Sequence, residues 1–255
     1  KPRGSTALDL PDGMMRAESV LGSAALSAPP ILVRSLVAPY ADGLAFTTFL
    51  RRQGGFGAVD EAWRAPPQST EQLLHPEKYL AREPALEVPV PERPAFAGDL
   101  EERFHDVMGE QTLRLLLEDW LPARTAAQAA SDWGGDRLAV FSDSSRKRWA
   151  VGWHIRFDTP SAAERALLAF ARSAPLTDRA PSSPSGGPSR TPPPLTRVAG
   201  GRLCVPRPNN GPIVLVRRGR DLAVTLGPFE RNSVAVTPDP DCRPALAWAA
   251  RIATQ

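Results

Sequence analysis

The stretch Trp133-Gly-Gly-Asp-Arg-Leu-Ala-Val-Phe-Ser-Asp-Ser-Ser-Arg-Lys-Arg-Trp-Ala-Val-Gly-Trp-His-Ile-Arg-Phe157 decides the fold class. Its second half, Trp149 to Phe157, alternates large apolar side chains with smaller or polar ones, the period-two pattern of a half-buried strand. Leu138 to Phe141 reads as a strand before it, with Asp143-Ser-Ser-Arg146 as the turn between them. Trp133 to Arg137 reads as a turn that feeds the first strand. It lacks the Lys and Ser/Thr of a phosphate loop and precedes a strand, so Asp136 and Arg137 are expected to fix the backbone.

Working outward, Gly109 to Trp120 has the apolar spacing of an amphipathic helix, and an Ala-rich helix from Arg124 to Ser131 follows Pro122. Thr159-Pro160 starts another helix, with proline at its favoured first position, running to about Arg172. Residues 99–173 therefore form a small α+β module: helix, helix, hairpin, helix. Residues 174–199 are rich in Pro and Ser, cannot bury enough apolar surface to offset ordering, and are expected to be a disordered linker. Residues 200–255 then supply a hairpin, Ile213–Val216 with Leu222–Leu226 around Arg218-Gly219, and a helix from Arg243 to Ala253. These strands are expected to complete the sheet begun at Leu138.

Upstream, residues 83–98 form an extended connector punctuated by Pro84, Pro89, Pro91 and Pro94. Residues 1–82 read as helical, without a convincing strand. A short helix follows Asp12, an apolar face runs from Ile31 to Val37 before Pro39, and Leu44, Phe46, Phe49 and Leu50 mark a helix from Tyr40 to Arg52. Gly43 inside it costs about 1 kcal/mol against Ala, which suggests close packing. Gly54-Gly55 ends that helix, and Phe56 to Trp63 forms another that buries Val59 and Trp63. The class is α+β: a mainly helical N-terminal half, then a small antiparallel-sheet module with packed helices.

The chemistry concentrates in Pro66 to Leu80, Pro-Pro-Gln-Ser-Thr-Glu-Gln-Leu-Leu-His-Pro-Glu-Lys-Tyr-Leu. Ser69 suits a helix N-cap, and Gln72 can reach back to it. Pro76 limits this helix to about two turns, which leaves His75 at a helix end with Glu77 and Tyr79 beyond. Glu71 lies one helical turn before His75 on the same face, where a carboxylate raises a histidine's pKa and orients its ring. The pair can equally serve only to close the turn.

Composition narrows the classes. The chain has 255 residues, net charge +3 and 42% hydrophobic residues, enough for a buried core. No basic stripe with interleaved aromatics occurs, which argues against nucleic acid. No run of eighteen apolar residues is present, which argues against a transmembrane segment. A start at Lys1 is expected of a processed product or a fragment. Cys204 and Cys242 suit either a disulfide or two reduced core thiols. His75, His105 and His154 are isolated, with no HExxH or other metal-ligand spacing. His154 alternates outward from Trp153, so it reads as a surface or pocket residue. His105 reads as structural, and Glu101-Glu102 as a solvated face.

Several motifs occur here in an order that resembles a group of secreted zincin-like metallopeptidases. They are Tyr40-x-x-Gly43-x-x-Phe46, Gly54-Gly55 with Ala58-Val59-Asp60, Pro66-Pro67-x-Ser69-Thr70-Glu71-Gln72-x-x-His75-Pro76-x-x-Tyr79, and Trp133-Gly-Gly-Asp-Arg137. The resemblance covers about residues 12–172 and more weakly 203–235. It implies an upstream catalytic segment of the same protein carrying HExxH and an acidic ligand, zinc in the complete protein, a protein or peptide substrate, and an extracytoplasmic home. No metal ligand carries over onto this chain, and no cofactor is expected in it. Glu71, His75 and Tyr79 are the candidate cleft residues, with His75 or Tyr79 donating to a developing oxyanion. The expectation is the C-terminal part of a zinc peptidase, inert alone. The alternative is a non-catalytic secreted binding or structural protein.

Overall fold

The computed structural model describes residues 28–173, 199–206, 211–230 and 242–255. The chain divides into two compact units, parting between Ala65 and Pro66. The helix read after Asp12 and all but the last residue of the 174–199 linker lie outside the described residues.

The described part of the first unit is one helix, α1 (Pro30–Arg64), with Pro30 in its first turn. It passes through the exposed Pro39, so the apolar stretch before that residue and the helix read from Tyr40 are one helix. The break comes where two glycines allow it: Gly54 and Gly55 leave helical geometry, Gly55 with φ +65°. Two expectations are corrected. Trp63 is 83% exposed, and a Cβ at Gly43 would meet nothing within 4 Å. This helix is apolar around much of its circumference, so apolar spacing alone could not say which face is covered.

The second unit is α+β. After α2 (Thr70–Leu74) and α3 (Pro76–Leu80), an extended segment leads to β1 (Glu101–Asp106), α4 (Gly109–Glu118), α5 (Ala123–Ala130), β2 (Trp133–Ser142), β3 (Arg148–Phe157) and α6 (Pro160–Ser173). Then follow β4 (Arg202–Val205), β5 (Ile213–Arg218), β6 (Asp221–Glu230) and α7 (Arg243–Ile252). The strands make one antiparallel sheet in the order β1-β2-β3-β6-β5-β4. The late hairpin does complete the early sheet: β6 lies along β3, with Ile155 opposite Leu222 and Trp153 opposite Val224.

Alternation along the strands feeds two cores, one on each face. Trp153, Ile155, Phe157, Leu215 and Leu222 pack with Leu113 and Leu117 of α4, the alanines of α5, and Leu167 and Phe170 of α6. On the other face Ala139, Phe141, Ala150, Val214, Val216 and Ala223 pack with Trp248, Ala249 and Ile252 of α7. The connector is laid over that second face. The Leu86 N–H donates to the Gly134 carbonyl at 2.7 Å, and the Trp248 indole N–H donates to the Glu92 carbonyl at 2.7 Å. Gly135 has to be glycine for this path, because a Cβ would overlap the Leu86 carbonyl. A disulfide joins Cys204 on β4 to Cys242 before α7, across 38 residues.

Three readings change. Trp133–Arg137 is already strand, with a bulge between Trp133 and Gly135. Glu101-Glu102, read as a solvated face, and His105, read as structural, both belong to an exposed edge strand, Glu101–Asp106. The hairpin tip is Gly219-Arg220, between Arg218 and Asp221.

Candidate functional site

Ser69 caps α2: its hydroxyl accepts from the Gln72 N–H at 3.1 Å. Gln72 reaches back past the cap, accepting from the Gln68 N–H at 2.8 Å, and its amide nitrogen donates to the Glu83 carbonyl at 2.6 Å. The helix stops at His75, whose extended ψ of 80° precedes Pro76. The chain re-enters a helical turn in α3, and this reversal brings Lys78 back against Glu71.

Lys78 is the centre of the site. Its ammonium donates to Glu71 Oε1 at 2.7 Å, Glu83 Oε1 at 2.7 Å and Asp158 Oδ2 at 2.6 Å. An ammonium has three protons, and all three are used. Asp158 comes from the end of β3, 80 residues along the chain, so the ammonium ties α2 and α3 to the sheet. Glu71 is 2% exposed. Burial is the main cause that pushes its pKa up to about 7, against the opposing pull of Lys78, with Asp158 and Glu110 adding to the rise. Three carboxylates around one ammonium leave an excess of negative charge, and the deepest carboxylate retains a proton longest. The Lys78 pKa is raised by its hydrogen bonds to the three acids, which outweigh the lowering effect of its burial.

His75 sits beside this cluster with a partner from another element. Its Nε2–H donates to Glu110 Oε1 at 2.8 Å, and Nδ1 lies 3.7 Å from Glu77. The hydrogen bond to Glu110 raises the His75 pKa against the lowering effect of burial, and burial raises that of Glu110. Glu110 is held there because Asp136 pins the start of α4, accepting from the Met108 and Gly109 N–H groups at 2.8 and 3.0 Å and from the Trp133 indole at 3.2 Å. Gly109, at φ +77°, lets α4 approach Thr70, where a Cβ would overlap the hydroxyl.

The candidate residues are thus close together but not paired as the spacing implies. The Glu71 carboxylate goes to Lys78, and His75 takes Glu110. Tyr79 is 4% exposed, with the Arg82 guanidinium 5.0 Å from its ring centroid. His154, expected at a surface or pocket, is fully buried and donates through Nε2 to Asp221 Oδ1 at 2.9 Å. Both faces of the sheet are covered, so alternation away from Trp153 does not lead to solvent. His105 pairs with Glu102 at 2.6 Å.

Glu71, Glu83 and Asp158 are the group among the described residues whose ligand atoms, within 4.8 Å of one another, could surround a cation. This all-oxygen set suits a hard cation better than zinc, and the Lys78 ammonium already lies against all three. Each described histidine is turned to its own carboxylate. These residues do not fit a zinc centre.

A family model described as a domain of unknown function (DUF8575) matches residues 99–232, slightly more than half of the chain. The chain belongs to the DUF8575 family. No curated protein and no solved structure matches it. The DUF8575 match takes in all six strands, Glu110 and Asp158, but starts after Glu71, His75, Lys78 and Glu83. The site is therefore built across the edge of the DUF8575 region. Among the described residues of this DUF8575 member, no helix is long and apolar enough to cross a membrane.

Proposed function

We propose that this chain is a non-catalytic binding or structural protein of an oxidising, extracytoplasmic compartment. The observation that carries the reading is the saturation of the Lys78 cluster, in which the Glu71, Glu83 and Asp158 carboxylates are consumed by an internal ammonium. Glu71 and Tyr79, at 2% and 4% exposure, have almost no surface with which to touch a peptide. His75 is partly exposed, but its Nε2–H is committed to Glu110. The Cys204–Cys242 disulfide supports the compartment, since such bonds persist where thiols are not kept reduced. A spread of charge without a basic stripe supports protein or small-molecule partners over nucleic acid.

The test is peptide hydrolysis and metal content of the full-length protein. Labelled casein, with and without added zinc, is expected to remain uncleaved, and elemental analysis is expected to find far less than one zinc per chain. Reduction is expected to add two daltons to the intact mass. One tightly held zinc, with cleavage that His75→Ala abolishes, would overturn the reading in favour of a zinc peptidase acting on peptides.

A further inference from the structure

On the connector-covered side of the sheet, a cavity of about 600 Å³ lies between the segment Ala85–Pro89 and the first residues of β2. Its walls include Leu86, Val88, Val107 and Trp133, and its cation is Arg137. Arg137 shares a sheet face with Gly135 and Ala139, each two residues away from it along β2. It is half-buried, and among the described residues no carboxylate lies within ion-pair reach of its guanidinium.

Two of the acids near it are spent, and the wall also holds Glu87 and Gln255, the last residue of the sequence. Asp136 is taken by two backbone N–H groups and the Trp133 indole. Asp221 is reached in register through His154, which stands opposite Arg137, and it is taken by His154 and Arg156. Glu87, on the rim, is exposed and forms no ion pair with it. A guanidinium partly withdrawn from water without an anion is unfavourable. Its planar fork matches a carboxylate bidentately. The volume falls within the range of small-molecule pockets, roughly 300–1,000 Å³.

We propose that this cavity binds a small organic monocarboxylate, its carboxylate on Arg137 and its apolar body against Leu86 and Val107, with the buried Val88 and Trp133 behind them. One cation, with Glu87 at the rim, disfavours a dianion such as a phosphate monoester. The apolar walls disfavour a small hydrophilic acid. The site shares no residue with the Lys78 cluster, so it stands or falls independently of the reading of that cluster.

The experiment uses the full-length protein with octanoate as the probe, and octanol and octyl phosphate as its neutral and dianionic counterparts. Binding is followed by calorimetry and by the Trp133 indole NMR signal, assigned with Trp133→Phe. Octanoate is expected to shift that signal saturably, Arg137→Met to weaken binding at least about tenfold (one bidentate charge-assisted contact), and Arg137→Lys to weaken it less. Octanol is expected to show no saturable shift. An unmoved Trp133 signal, octanoate binding unchanged in both Arg137 variants, or tighter binding of octyl phosphate would each overturn the proposal.

Discussion

Lys78 and Arg137 are both cations partly withdrawn from water in the same compact unit, and the fold treats them in opposite ways. Around Lys78 three acids converge from Glu71, Glu83 and the end of β3, and every ammonium proton is used. Around Arg137 two nearby acids, Asp136 and Asp221, are turned to other donors, and a cavity with apolar walls opens beside the guanidinium. Charge that is internally satisfied holds elements together. Charge that is left over faces a space where something else can satisfy it. The more acid-rich cluster is thus the weaker candidate for ligand chemistry.

The largest test of this contrast removes Lys78. Lys78→Met leaves three carboxylates facing one another and should cost about 3–5 kcal/mol of unfolding free energy at neutral pH, read by urea denaturation. Lys78→Arg should recover only part of it, because a planar fork cannot serve three separate acids as a tetrahedral ammonium does. A loss below about 1 kcal/mol for Lys78→Met would mean that the cluster does not fasten α2 and α3 to the sheet.

A smaller effect concerns the proton on Glu71. Its folded-state pKa of about 7 lies above the ordinary 4.5, so the folded chain holds this proton more tightly than the unfolded one. The associated stability is present below pH 4.5 and is lost as pH rises through about 7. Glu71→Gln, which cannot ionise, should therefore gain on the wild type by on the order of 3 kcal/mol between pH 4.5 and pH 8. Parallel stability curves for the two proteins over that range would refute the assignment of the proton to Glu71. The smallest effect is expected at the other cation. Arg137→Met should change stability by no more than about 0.5 kcal/mol, as for a surface substitution without a partner. A loss above about 2 kcal/mol would show that Arg137 has an internal role and would erase the contrast with Lys78.

Much of the second unit was legible where the pattern was local. The Ser69 cap, the stop at His75-Pro76, the helix from Gly109 and the alternation of Trp149–Phe157 each depend on neighbours a few residues apart, and each is found. That the late hairpin joins the early sheet was legible too, since an apolar hairpin after a polar stretch needs a sheet to join; that β6 lies along β3 was not. β1 was not legible, because a strand exposed on both faces carries no alternation. The burial of His154 was missed because the connector covers a face that the strand pattern alone leaves open. The true partners of Glu71 and His75 were missed because Asp158 and Glu110 come from distant elements. One signal was available: the chain has three lysines against 28 arginines, and one of the three lies between Glu71 and Glu83.

The sheet order also separates two kinds of connection by how freely their length can drift between relatives. α6 and β4 are each fixed by their own core contacts, and the chain between them only has to return. Doubling the length of a flexible connection adds only about 0.6 kcal/mol of closure entropy, so sheet stability sets almost no limit on the number of residues there. The Gly219-Arg220 tip is the reverse case. One added residue that shifted the pairing there would turn every side chain of β5 or β6 to the other face, exchanging Leu215 and Leu222 between two cores that differ in shape. Length variation among members of this family should therefore collect at the first connection and be excluded from the second.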